Sequence, residues 1–561
     1  QQQKEYTDEV FMTYGYGDGG GGPTEEMLEM IRRFDKVSVM PKIEVTGGDA
    51  FLHKNLKDNT NLATWDGELY LEMHRGTFTT KSNLKKANRT LEFKLREAEL
   101  RAALASLTGA SYPSEELTEC YKKFLLNQFH DILPGSHIHP VYEDAMNDYR
   151  SVSERLDAML ALTAGNEYFN SLNFTRSSIT FIEDENGAIT RHGVKGFWSI
   201  PALAGLSTGT VAALPSKENW LSTEFCDKCD CLVLETPYYR AKLSSDGSFV
   251  SLYDKELDRE WVKEGCGFNK LHLYADNPGV YDAWDILPNY KDVQVALNVD
   301  KPLALVSSDG SSAEFAVTFT TEKSTWKMIL RFFADSRAIE VENVVDWDEK
   351  HKLVKVNFGP DVLTRELVCD TSAGFVKRDL TKNTSWQQAR FEVCHHKWCD
   401  MSESGSGIAI INEGKYGVGL EKDEISLSLL RATIRPDITS DIGHHDFCYT
   451  ILPHSGDAVE AQVNKTAIEY NVPLCKSNVT VPAALRDTLN NCGLYLQAMK
   501  RSENGQYLIL RLSEQDGRRG KIAFPFEVQT MNLIEDIEGS TKVVSYHPFE
   551  LITVAVKPED L

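Results

Sequence analysis

A chain of 561 residues is too long for one core, because single domains hold roughly 100–200 residues. Its formal net charge of −23 argues against a nucleic-acid partner, whose phosphates call for Lys and Arg. The content of 42% hydrophobic and 25% charged residues is that of a globular protein, and no window approaches the ~20 apolar residues of a membrane span. The eleven cysteines are scattered and odd in number, which points to a reducing compartment and a cytoplasmic location.

In chain order, helical signals come first. Thr24 is placed to cap a short helix through Met27, Met30, Ile31 and Phe34, with Glu25 and Glu26 suiting its N-terminal dipole. Ser82 is expected to cap a long helix carrying Leu84, Leu91, Leu95 and Ala98, ended by Gly109. Pro113-Ser114 opens a second, with Leu117, Tyr121, Phe124, Leu125 and Ile132 on its buried side and Pro134-Gly135 as its stop. A third is expected from about Val141 to Ala164 on Ala145, Tyr149, Val152, Leu156 and Leu160. Three amphipathic helices with short breaks make an antiparallel bundle. Beyond residue 166 the period changes to short runs such as Phe249–Tyr253, Phe315–Phe319 and Tyr507–Leu512, separated by Gly, Asp, Asn and Pro. That is the punctuation of β-sandwiches.

Three stretches carry candidate chemistry. In Asn127-Gln128-Phe129-His130-Asp131-Ile132-Leu133-Pro134-Gly135-Ser136, a His and an Asp adjoin at a helix end before a sharp break. Neighbouring helical residues point about 100° apart, so one could hold a metal while the other reaches a ligand; a histidine answering the helix dipole is the simpler reading. Gly15-Tyr16-Gly17-Asp18 runs into four successive glycines before a helix, offering bare N–H groups to a polar ligand, or merely a linker. Trp65-Asp66-Gly67-Glu68-Leu69-Tyr70 sets carboxylates beside aromatic rings, which raise the pKa of a glycosidase acid, or forms an extended surface segment.

Taken together, these stretches resemble glycoside hydrolase family 38, and in particular its cytosolic-type branch. The likeness rests on YGYGDGGGGPT (residues 14–24), WDGELYLEMHRGTFTT (65–80) and NQFHDILPGSHIHPVYEDA (127–145). It continues through LETPYYRAKLSSDGSFVSLYDKE (234–256), Val280–Ile286, LSLLRATIRPD (427–437) and DFCYTILPHSGD (446–457). The resemblance implies a retaining, zinc-dependent α-mannosidase acting on terminal α-mannosides of glycans or oligosaccharides. It assigns His130 to the metal, Asp131 to the sugar hydroxyls, and Glu68 to the general acid, with Asp18 and Asp66 as rivals. Asp18, Tyr281 and Asp282 are expected to contact the sugar. The other zinc ligands and the nucleophilic Asp are expected upstream of Gln1, so the chain is read as a C-terminal portion lacking the N-terminal half of the catalytic domain and inactive alone. The opposing class is a non-catalytic sugar-binding or assembly module.

The fold expected is a multidomain α+β protein. Residues 1–60 are a remnant of an α/β barrel-like catalytic domain, 61–165 a three-helix bundle, and 166–235 a small β domain. Residues 236–460 form a large β-sandwich and 461–561 a C-terminal β domain. Expected partners are a mannose-containing oligosaccharide, the N-terminal part of the same protein and, for a homo-oligomer, a second copy; neither nucleic acid nor membrane is among them. His444-His445-Asp446 is read as a structural strand segment. Cys394–Cys399 and Cys226-Cys229-Cys231 lack the spacing of a zinc ribbon.

Overall fold

In the computed structural model, residues 7–57, 59, 61, 62, 64, 65, 68–70 and 73–561 are described, in two units, Gln1–Tyr70 and Leu71–Leu561. The first carries α1 (Glu25–Phe34) and α2 (Gly48–Leu56), with no strand among its described residues. Thr24 accepts from the Met27 N–H as expected, and Glu25 and Glu26 open α1 while Arg32 and Arg33 close it, each charge opposing the local end of the helix dipole.

The second unit begins with α3 (Ser82–Leu107), α4 (Ser114–Leu126) and α5 (His139–Ala161). They bury Leu84, Leu91, Leu95, Leu117, Phe124, Tyr149, Val152 and Leu156 against one another, the apolar stripes read from the sequence. Two details differ. Ser82 is no cap: the Asp441 carboxylate, far along the chain, accepts from the Lys81 and Ser82 N–H groups at 2.7 and 2.6 Å. And α4 stops eight residues before Pro134. Asn127 turns inward to its own helix, giving Nδ2 to the Lys123 carbonyl at 2.9 Å, and Gln128 reaches Asn88 on α3. These side-chain bonds replace the next helical turn.

The strands are antiparallel throughout. A nine-stranded sheet runs in the order 298–308, 312–320, 325–333, 339–347, 443–455, 406–412, 398–403, 366–371, 374–379. A six-stranded sheet, built around 268–275, 352–358 and 425–431, packs against it. Phe268 and Phe358 meet edge-on, Phe358 meets Tyr449 likewise at 5.9 Å, and the Tyr449 hydroxyl donates to Asn269 at 2.6 Å. This is the core of a sandwich. A five-stranded sheet spans 222–260, and another spans 495–556 and closes over Leu100, Ala103 and Leu104 of α3. The α+β architecture of helices followed by sandwiches is the one the punctuation predicts.

Candidate active site

The loss of the last turn of α4 decides what its end presents. With Asn127 and Gln128 directed inward, Phe129 and His130 face outward, their rings 4.3 Å apart. The His130 side chain is 75% exposed. Asp131 places Oδ2 at 3.5 Å from His130 Nε2 while Oδ1 accepts from Ser136 at 2.8 Å.

This turn is fixed from beneath. Gly135 has φ +84°, and a Cβ there would lie 2.7 Å from the Thr80 carbonyl oxygen and 2.8 Å from the Lys81 side chain. Only glycine fits both the backbone region and the space. The buried Lys85 ammonium donates to the carbonyls of Thr80, Leu133 and Pro134 at 2.5, 2.9 and 3.1 Å. Burial brings its pKa down to about 7.

The segment Arg75–Ser82 also carries the Val280–Ile286 loop. Gly76 N–H donates to the Trp284 carbonyl at 2.9 Å, and Thr80 Oγ1 donates to the Ala283 carbonyl at 3.0 Å. Between them lies Arg431, fully buried. Its guanidinium donates to Asp276 at 2.8 Å, to the Asp282 and Asp285 carbonyls at 2.8 and 2.6 Å, and to Thr80 Oγ1 at 3.1 Å. One arginine thus ties a sheet strand, the loop and the start of α3.

Of the expected sugar contacts, the loop presents Tyr281, 66% exposed and edge-on to Trp284 at 5.6 Å. Asp282 is different. It is 1% exposed, and its two oxygens accept from the Ile434 and Arg435 N–H groups, both at 2.8 Å. A carboxylate spent on two backbone donors holds the loop in place; its side chain is a support rather than a surface group. In the first unit, Asp18 lies exposed in the short Gly17–Gly19 turn. Glu68 is exposed as well, and its carbonyl accepts from the Trp65 indole at 3.0 Å. Asp66 lies outside the described residues.

Sequence reasoning missed Lys85, Arg431 and Asp437. Burial pushes the Asp437 carboxyl up, but hydrogen bonds from Lys81 and Thr439 outweigh it and hold the pKa at about 2. His139 Nδ1 faces the same carboxylate at 3.1 Å. No spacing signal marks Arg431 and Asp437, whose partners Asp276, Thr80 and Lys81 lie 155, 351 and 356 positions away, and Lys85 is bound to backbone carbonyls, which leave no mark in a sequence. His444-His445-Asp446 lies in strand 443–455, as read, and His445 is buried with Nε2 at 2.7 Å from the Asp441 carbonyl.

Zinc favours imidazole nitrogen and carboxylate oxygen, so the exposed His130 ring, with Asp131 beside it, fits one corner of such a site. Among the described residues, the three-donor grouping suited to a metal is His192, Glu413 and Cys448, which does not include His130.

Four family profiles match the chain in order. Glycosyl hydrolases family 38 N-terminal domain covers residues 1–68, Alpha mannosidase middle domain 72–165, Glycosyl hydrolases family 38 C-terminal domain 234–439, and Glycosyl hydrolases family 38 C-terminal beta sandwich domain 493–554. The chain is 31% identical over 531 residues to Alpha-mannosidase 2C1 of Homo sapiens, covering 90% of this chain and 50% of that protein. It is 27% identical to Alpha-mannosidase G of Dictyostelium discoideum, over 97% of this chain and 58% of that one. It therefore spans about half the length of the curated relatives it matches. Among solved structures, an alpha-mannosidase from Enterococcus faecalis V583 shares the fold at TM-score 0.72 and 13% identity, covering 96% of this chain and 75% of that chain.

Proposed function

Because the chain belongs to glycoside hydrolase family 38, we propose that it forms part of a retaining, zinc-dependent α-mannosidase that hydrolyses terminal α-mannosides of glycans or oligosaccharides. The observation that carries this reading is His130: an exposed imidazole on a turn whose rigidity comes entirely from other groups, Gly135 and Lys85 above all. A ligand must keep a ring nitrogen for the metal, and the exposed His130 ring, with Phe129 at 4.3 Å and Asp131 Oδ2 at 3.5 Å, is open to one.

His130 is one zinc ligand. Bound zinc would hold two adjacent hydroxyls of the mannose and fix its ring. Asp131, steadied by Ser136, accepts from a sugar hydroxyl, and the exposed Tyr281 ring offers an apolar face to the sugar. Asp282 keeps that loop in register through Ile434 and Arg435. The general acid is assigned to Glu68, with Asp18 as a sugar contact or rival acid; both rest on the family motif. A retaining mechanism needs a second carboxyl group about 5–5.5 Å from the acid. That nucleophile and the remaining zinc ligands are assigned to sequence that the relatives carry outside the shared span. A reducing, cytoplasmic setting accords with the cysteine count.

This reading expects the purified 561-residue chain to leave an aryl α-mannoside intact, and the same chain joined to the upstream half of the catalytic domain to cleave it. Turnover by the chain alone contradicts the shared-site arrangement; no turnover by the joined protein contradicts the activity.

A further inference from the structure

A second histidine stands among groups that the mannosidase reading does not use. His192 and Gly193 form the two-residue turn between strands 189–191 and 194–199, with φ +51° and +74°. Positive φ at both turn positions is what a tight hairpin demands. The His192 N–H is tied to Glu342 at 2.8 Å, so the ring is aimed by its backbone. Nε2 then lies 3.1 Å from Glu413 Oε2 and 3.4 Å from Cys448 Sγ. The three donors come from three separate places: the hairpin, the turn after strand 406–412, and strand 443–455.

From the position of these donors, we propose that His192 Nε2, Glu413 Oε2 and Cys448 Sγ form a binding site for a zinc-like divalent cation. All three lie within 4.8 Å of one another, so one ion can stand at the ~2.0–2.3 Å that zinc takes from nitrogen, oxygen and sulfur. The other ring nitrogen, Nδ1, faces Asp446 Oδ2 at 3.0 Å. A carboxylate behind a histidine fixes the ring and strengthens its metal-facing nitrogen. Arg191 occupies the opposite oxygen of Glu413, Oε1, while Oε2 accepts from the Cys448 N–H at 3.2 Å and keeps a second lone pair for an ion.

The charges agree. Glu314, Glu340, Glu342, Glu413 and Asp446 form one connected network with Arg191, Arg331 and Lys86. Five carboxylates face three permanent cations, an excess of two negative charges when His192 is neutral. A proton on His192 cancels one of them; a divalent cation held by the Cys448 thiolate adds a net single positive charge and likewise cancels one, so metal can replace the protons without changing the net charge. Binding replaces the protons on Nε2 and Sγ, which pass to the buffer. The side chains of His192 and Glu413 each remain 15% exposed, so an ion has a way in, with the buried Cys448 at the floor.

Cobalt(II) titrated into the chelator-treated chain tests this. One saturable equivalent with a thiolate-to-cobalt absorption band in the near ultraviolet is expected. Cys448→Ser should lose the band, and Glu413→Gln should weaken binding at least tenfold. Cys229→Ser and His130→Ala should keep the band, which separates this site from the Cys226–Cys231 turn, where Cys226 and Cys231 pair across strands 222–226 and 231–235, and from the ligand proposed above. Circular dichroism confirms that each variant is folded. Absence of a thiolate band from the unaltered chain, as a ring that holds only a proton would give, overturns the proposal. So does a band that survives in Cys448→Ser.

Discussion

His130 and His192 each face a carboxylate, yet they are held in opposite ways. His130 stands exposed on a turn, with one carboxylate oxygen 3.5 Å from its ring. His192 is walled in by Glu342, Glu413, Asp446 and Cys448. Burial works against a charge on it, but Cys448, Glu413 and Asp446 outweigh burial and push the ring up to about 12. The field that retains a proton there is the field that would draw a cation. The lesson lies in what each site depends on. Around His192 the charges are the structure, so any occupant is bound up with local folding. Beneath His130 the turn is built by Gly135, Lys85 and, one step further, Arg431, so the imidazole can be removed without loosening its seat.

The largest effect that tests this division is at the base of the seat. Arg431→Met leaves the buried Asp276 carboxylate without its partner at 2.6 Å, and breaking a buried pair costs about 3–5 kcal/mol. Urea denaturation should show that loss; a change below about 1 kcal/mol would mean that the loop and α3 are joined without Arg431. Next comes Gly135→Ala, which combines φ +84° with a Cβ 2.7 Å from the Thr80 oxygen. Strain of this kind is worth about 1–3 kcal/mol, measured the same way. An unchanged midpoint would show that the turn is not pinned at this point.

A smaller effect depends on pH. Burial lowers Lys85 to about 7, whereas an unfolded lysine keeps its proton to about 10.4. Between those values the unfolded chain binds more protons, so stability should rise with pH from about 7 to 10. Lys415, also lowered to about 7 by burial, adds to the rise. Lys85→Met should remove its share of the slope in a pH series of melts. An identical slope in the variant would mean that the amine is not desolvated beneath the turn.

Periodicity alone yielded the bundle: α3 was expected from Ser82 to Gly109 and runs Ser82–Leu107. It failed where side chains overrule the backbone pattern. Ile132 continues the apolar stripe of α4, but Asn127 and Gln128 had already ended the helix. The cap of α3 could not be read locally, because Asp441 lies 360 residues from Lys81. The same holds for Arg431, 351 residues from Thr80. At the site, His130 stood out through the family likeness, since a lone histidine at a helix end has a simpler explanation. Asp282 was expected to contact the sugar through the same likeness; that its carboxylate is buried and accepts from the Ile434 and Arg435 N–H groups is visible only in three dimensions.

The smallest expected change in stability belongs to the residue with the largest expected change in function. In His130→Ala of the joined protein, zinc content and aryl α-mannoside turnover should both collapse, while the melting midpoints of variant and unaltered protein, compared after chelation so that bound zinc adds no stability, agree within the equivalent of about 0.5 kcal/mol. Zinc and turnover equal to those of the unaltered protein would contradict the assignment of this imidazole to the metal.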